Sequence, residues 1–276
     1  MEYTSYNGIQ LVWVPGGSFR FGREAGSAGS GDYSPMSTVI LTGFYLGKYE
    51  VTQAQYQAVT GSNPSFFSGN PVSGEAQDRR PVERVSWYDA IAFCNALSVI
   101  EGLTPAYRIS GSADPASWGT VPASWDDPLR ALWDKVQVAP GSTGYRLPTE
   151  AQWEYAAKGG ANPDEGYTYA GSNCPGDAAW YRENCSGVTH EVGKKVPNGL
   201  GLYDMSGNVL EWCWDWYRSY ISITRTDPAG ASSGSGRMGR GGSWGDDASY
   251  LRSVYRYRNY PSSRNRDIGF RVSLPQ

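Results

Sequence analysis

The side chains able to do covalent or metal chemistry are few in this sequence. Its four cysteines, Cys94, Cys174, Cys185 and Cys213, show no paired Cys-x-x-Cys spacing, which argues against a zinc site. Cys94 and Cys213 sit among apolar residues and read as buried thiols. Cys174 and Cys185 share one polar loop, where a short disulfide and two free thiols are both open. His190 is the single histidine. It therefore cannot build a histidine-rich iron site or, with a serine and an aspartate, a reason to expect a nucleophilic triad; it reads as a solvent-facing or hydrogen-bonded loop residue. Asp246 and Asp247 are adjacent carboxylates on a loop, a pattern more often solvated than catalytic. The second group is dense. From Gly245 to Asp267 the chain is crowded with Tyr and Arg among Ser, Gly, Asn and Asp, residue types that supply large, partly rigid contact area and adaptable polar contacts. That composition suits binding.

The elements holding these residues can be placed by period and capping. Thr52 with Gln55 and Thr149 with Gln152 make Thr-x-x-Gln capping boxes, and Ser86 with Asp89 starts a helix ended at Gly102. Trp87, Ile91, Cys94 and Leu97 recur at helical spacing and make one face of that middle helix. The opening IQLVWVPGGSFRFG alternates and then turns at Pro15, Gly16 and Gly17, which predicts a hairpin. About forty residues from Leu103 to Tyr145 form a long connection, typical of an insertion or a functional loop. Beyond Lys158 short aromatic pieces alternate with Gly, Asn and Pro. The 276 residues contain 35 Gly, 17 Pro, 11 Trp and 20 Tyr, so turns should outnumber long helices, with residues 1–276 forming one irregular α+β domain. A net charge of -3 gives no broad attraction to nucleic acid or to an anionic membrane. No apolar run reaches membrane-spanning length, so no direct membrane insertion is expected, and no signal peptide opens the sequence.

Four segments, PVERVSWYDAIAFCNALS, YRLPTEAQWEYAAKGG, NGLGLYDMSGNVLEWCWDWY and RGGSW…IGFRV, resemble the formylglycine-generating enzyme, or sulfatase-modifying factor, family. The resemblance implies an elaborated C-type-lectin-like fold with little regular secondary structure; fold alone does not carry activity. The family's oxidase places two metal-binding cysteines after its Gly-Gly-Ser-aromatic turn, and in this chain those positions are Asp246 and Leu251. No thiolate pair is expected there, so no catalytic residues are assigned and the family's oxidation reaction is not expected.

The same span resembles the variable region of proteins diversified by retroelements, within a segment covering residues 240–271. Fixed residues of that pattern stand at Arg240 to Trp244, Ala248, Arg252, Ser253, Arg256, Pro261, Arg264 and Ile268 to Arg271. The positions between are Gly245, Asp246, Asp247, Ser249, Tyr250, Tyr255, Tyr257, Arg258, Asn259, Tyr260, Ser262, Ser263, Asn265, Arg266 and Asp267. Substituting only the adenines of an AAC codon cannot produce Lys, Glu, Gln, Met or Trp, and none of the five occurs at these fifteen positions. The resemblance implies a non-catalytic ligand-binding protein displayed outside the cell or on its surface, with a protein or cell-surface ligand. The competing readings are an oxidase of the family and a lectin-like module with one fixed partner.

The family resemblance also implies a structural calcium ion. Its ligands would be the side chains of Asp204 and Glu211 and the carbonyls of Gly207 and Val209, hard oxygen donors of the kind calcium takes. Without an ion, the same residues read as an Asp-capped turn before a strand whose Leu210, Trp212 and Trp214 face one way.

Overall fold

A computed structural model describes residues 2–5, 7–23, 34–161 and 166–276. Its opening strands do not form the expected hairpin. Strand β2 (Gln10–Val14) pairs with β5 (Phe44–Gly47), while β3 (Gly17–Phe21) pairs with β4 (Ser37–Leu41). The registers Val14 to Phe44 and Gly17 to Leu41 make one long antiparallel ribbon, bent where Pro15-Gly16 passes Thr42-Gly43. Glycine is required at this bend. A Cβ on Gly16 would lie 2.7 Å from the Leu41 carbonyl oxygen, and one on Gly43 would lie 2.4 Å from the Trp13 ring. The Pro-Gly-Gly signal therefore marks a close crossing of two backbones rather than a reversal.

The bend divides the ribbon between two sheets. One has the order β1 (Glu2–Thr4), β2, β5, β13 (Ser273–Pro275), which joins the two ends of the chain; the other is β3, β4, β9 (Arg225–Thr226). A third sheet orders β11 (Arg256–Asn259), β10 (Arg237–Arg240), β8 (Leu210–Trp216) and β12 (Ile268–Gly269). The α+β class with short, irregular elements is as expected.

All three expected helices form on their capping boxes: α1 (Gln53–Thr60), α2 (Trp87–Ile100) and α4 (Glu150–Ala157). Helix α2 is enclosed beyond the one face its period marks, because the insertion from Leu103 to Tyr145 packs against it. That insertion carries β6 (Tyr107–Arg108), a four-residue α3 (Arg130–Trp133) and β7 (Gln137–Val138), and it is anchored by buried Trp118 and Trp133. Trp133 lies 5.5 Å from the Tyr88 ring, and the Tyr88 hydroxyl donates to Asp134 at 2.6 Å.

Strand β8 separates two cores. Leu210 and Trp212, with Trp214 against them, join the core of α1, α2 and Phe270. Cys213 joins the core of α4 and the bent ribbon. On the same side as Cys213, Glu211 accepts from Trp153 Nε1 at 2.7 Å and Asp215 accepts from the Glu150 amide at 2.7 Å. The strand's period of two thus turns apolar side chains one way and carboxylates toward α4. Among the described residues no helix is long and apolar enough to cross a membrane.

Candidate functional site

The C-terminal segment leaves β10 through Gly241 and Gly242, whose φ values of 95° and 68° suit glycine. It then forms a short helical turn, runs back as edge strand β11, and returns through a loop to β12. Arginines hold it at intervals. Arg240 pairs with buried Glu154 of α4. Arg256 forks onto Glu150, also of α4, with Nε and Nη2 at 2.5 and 2.9 Å from its two oxygens. Arg264 reaches Asp89 in the capping box of α2 at 2.8 Å. Arg271 forks onto Glu211 with both contacts at 2.6 Å. Such bidentate ion pairs are geometrically exacting, and a buried one is costly to break by removing one partner.

The fifteen positions lie between these anchors. Asp247, Ser249, Arg258, Tyr260, Asn265 and Arg266 are exposed, and Gly245, Asp246, Tyr250, Tyr255, Tyr257, Asn259, Ser263 and Asp267 are partly exposed. Ser262 departs from the expectation, for it is buried. Its neighbour Pro261 accepts the Trp87 amide at 2.9 Å, which seats this pair of residues on the start of α2. The interleaved Leu251, Ile268 and Phe270 are fully buried, whereas Trp244 and Val254 are only partly so.

Three tyrosines form a cluster: the rings of Tyr250 and Tyr255 are 4.9 Å apart, and Tyr257 lies 5.8 Å from Tyr255. Tyr255 and Tyr257 also pack against the two cores, so they bridge surface and interior. The segment also lines a groove of about 480 Å³ through Trp244, Gly245, Asp246, Arg264, Asn265, Arg266 and Asp267, to which Phe66 and Arg84 contribute from outside the segment. Asp246 accepts from the Ser243 amide and hydroxyl at 2.9 and 2.8 Å. Burial raises the carboxyl pKa of Asp246, and it does the same for Asp267, where the nearby Asp246 charge adds to it. Arg182 braces the loop from outside the segment, donating to the Gly245 carbonyl at 2.9 Å and to Asp247 at 2.8 Å.

Phe66, Arg84, Trp125 and Arg182 belong to this surface although sequence reasoning did not select them. Trp125 meets Tyr260 at 5.5 Å. No local pattern marks these four; only the packing of distant segments brings them here.

The two positions matched to the family's cysteines are occupied by a partly buried carboxylate and by Leu251, which packs in a small cluster with Tyr169 and Tyr181. All four cysteines are unpaired. Cys185 is buried with its Sγ 3.1 Å from the Trp244 carbonyl oxygen, while Cys174 is exposed, so the short disulfide is not formed. Burial pushes the Cys94 and Cys213 thiols up. His190 is hydrogen-bonded rather than solvent-facing: it is buried, with Nδ1 2.8 Å from Glu75, Nε2 2.9 Å from the Cys185 carbonyl, and its ring stacked 3.8 Å from Trp180.

Of the residues considered for calcium, the two carboxylates are held in different ways. Both Glu211 oxygens are occupied by Arg271, and Trp153 shares one of them. Arg271 also donates to the carbonyls of Gly47 and Tyr203, so a fixed guanidinium supplies the positive charge here. Asp204 accepts from the Gly193 amide at 2.7 Å through Oδ2, and its Oδ1 is buried without a partner. Burial lifts the Asp204 pKa to about 6. Glu50, raised well above the usual carboxylate range by burial and by Asp204, accepts from Asn208 and from the Val209 amide. Gly207 and Val209 sit in the turn before β8, and both Glu211 oxygens accept hydrogen bonds from Arg271. Among the described residues no group of three or more His, Cys, Asp or Glu side chains is placed to hold a metal.

Comparison with known proteins follows the same outline. A domain family described as sulfatase-modifying factor enzyme 1-like matches residues 2–274. The chaperone protein LppX of Paenibacillus barcinonensis is 38% identical over 95% of this chain and 88% of its own length. The formylglycine-generating enzyme of Thermomonospora curvata is 31% identical over 95% of this chain and 92% of its own. Among solved structures, Treponema denticola variable protein 1 is 39% identical, covers 100% of this chain and 99% of its own, and superposes with a TM-score of 0.89.

Proposed function

Since the chain belongs to the sulfatase-modifying factor enzyme 1-like family, we propose that it uses this fold to bind a ligand rather than to oxidise one, through a C-terminal surface diversified by a retroelement. The reading rests on one observation above all. The arginines of the fixed pattern at positions 240, 256, 264 and 271 are each tied to a carboxylate of the body, while all but one of the fifteen intervening positions reach solvent. A surface held this way can change its side chains without losing its anchors. Similarity to a solved variable protein supports the reading, and so does the presence of Asp246 and Leu251 where the family's oxidase has cysteines. The ligand is a protein or other cell-surface molecule, and the protein acts outside the cell or at its surface.

Sequencing this gene from many cells of one population tests the proposal. Differences concentrated at the fourteen solvent-reaching positions are expected. One uniform sequence would leave a lectin-like module with a fixed partner. Robust oxygen consumption with copper and a sulfatase-motif peptide would instead restore the oxidase.

A further inference from the structure

A cavity of about 350 Å³ lies between the end of β8, the start of α4 and the chain around β9. It shares no lining residue with the groove that Phe66 and Arg84 line. Of the C-terminal segment only Arg256 reaches it, and that side chain is fixed on Glu150. The cavity is therefore built without any of the fifteen positions. Its size falls near the lower end of the roughly 300–1,000 Å³ typical of small-molecule sites. Phe21, Trp216, Ile221 and Pro228 give it apolar wall, and Ser219 and Ser232 bring hydroxyls.

Its charged walls are Arg218, Arg225 and Arg256 against Glu150 and Asp215, so one positive charge is left over even with both carboxylates ionised. Both carboxylates are also engaged. Glu150 takes the fork from Arg256 and accepts the Tyr220 hydroxyl at 3.0 Å. Asp215 accepts the Glu150 amide and lies under Gly230, where a Cβ would come within 2.6 Å of its Oδ1. Burial raises its pKa to about 7, so much of its negative charge is withheld near neutral pH. Asp227, two residues beyond Arg225, is taken by the Thr42 amide and hydroxyl instead. Arg218 and Arg225 remain, and among the described residues neither has an ion pair. Arg225 Nε and Nη2 are enclosed with no hydrogen-bond partner, an uncommon state for a donor in a folded protein.

We infer that this cavity binds a small phosphomonoester, its phosphate toward Arg218 and Arg225 and its apolar body against Trp216 and Phe21. A guanidinium offers forked donors that match phosphate oxygens. A phosphomonoester carries about -1.5 to -2 charge near neutral pH, which the two unengaged arginines balance. A carboxylate ligand would leave one of them unanswered. The hydroxyls of Ser219 and Ser232 are further donors on the same walls. Because no diversified position lines the site, it would be the same in every variant of the C-terminal segment, and it stands apart from the binding reading above.

Titration calorimetry of the full chain tests this with phenyl phosphate, inorganic phosphate, benzoate and phenol as probes. Phenyl phosphate should bind more tightly than inorganic phosphate, which lacks the apolar body, and than benzoate, which carries one charge; phenol should not bind. Arg218→Gln and Arg225→Gln should each weaken phenyl phosphate about tenfold or more, the loss of a charged hydrogen bond. Arg108→Gln, at an exposed arginine outside the cavity, should leave the affinity unchanged. Arg218 is exposed, so its variant carries the test even if Arg225→Gln unfolds. No binding of phenyl phosphate, equal affinity for benzoate or inorganic phosphate, wild-type affinity in Arg218→Gln, or an equal loss in Arg108→Gln would overturn the inference. Each of these results leaves the reading of the C-terminal surface untouched.

Discussion

Arg264 clasps Asp89 across 175 residues of sequence, with Nε 2.8 Å from Oδ2 and Nη2 3.3 Å from Oδ1. The same carboxylate accepts the Ser86 amide at 2.8 Å and so completes the N-terminal cap of α2. One side chain therefore starts a helix and fixes the loop that carries Tyr260 and Asn265. Replacing Arg264 by Met should cost about 1–2 kcal/mol, as expected for a charged, two-pronged hydrogen bond that is only partly buried. Urea unfolding of Arg264→Met, Asp89→Asn and the double variant measures this. Additive losses, with no coupling between the two sites, would mean the contact is incidental.

The tyrosines should separate into two kinds. Tyr260 is half exposed, so Tyr260→Ala should change stability by less than about 0.5 kcal/mol. Tyr257 packs against the core of α2, so Tyr257→Ala should cost about 2 kcal/mol, part of the loss seen for fully buried aromatics. Thermal and urea unfolding of the two single variants would show the contrast, and equal losses would contradict it. Replacing all three of Tyr255, Tyr257 and Tyr260 at once mixes these effects and would not isolate binding.

Stability should depend on pH through Asp215. Burial, with the neighbouring Glu150 charge, lifts its pKa from an ordinary 3.8 to about 7. The folded state then holds a proton that the unfolded chain has released. This contribution is complete below pH 4 or so, declines as pH rises, and is lost above about 7, a change on the order of a few kcal/mol. Asparagine can still accept the Glu150 amide but does not titrate. The stability of the wild type relative to Asp215→Asn should therefore fall between pH 4 and 8. Parallel curves for the two proteins would refute the assignment.

Calcium should matter little to folding. With Glu211 committed to Arg271, millimolar calcium or a chelator such as EGTA should leave the melting temperature within about a degree, since a ligand stabilises only by binding the folded state. A rise of several degrees with calcium would show that Arg271 yields the carboxylate to the ion.

Much of this protein is written locally. The three capping boxes, the alternation along β8 and the buried Leu251 follow from the spacing of neighbouring residues, because caps, periods and turns act over a few positions. In the C-terminal segment, fourteen of the fifteen positions picked from the sequence do reach solvent. Tertiary packing decided the rest. The Pro-Gly-Gly turn became a crossing because Gly16 and Gly43 had to pass each other, and a strand's partner is set by what lies beside it in space. Ser262 is buried because its loop rests on α2. Glu211 is paired with Arg271, a residue 60 positions away. Phe66 and Trp125 meet Arg266 and Tyr260 of the C-terminal segment from stretches with no sequence signal of their own. In each case the deciding contact is long-range, and sequence spacing carries no information about which distant surfaces will meet.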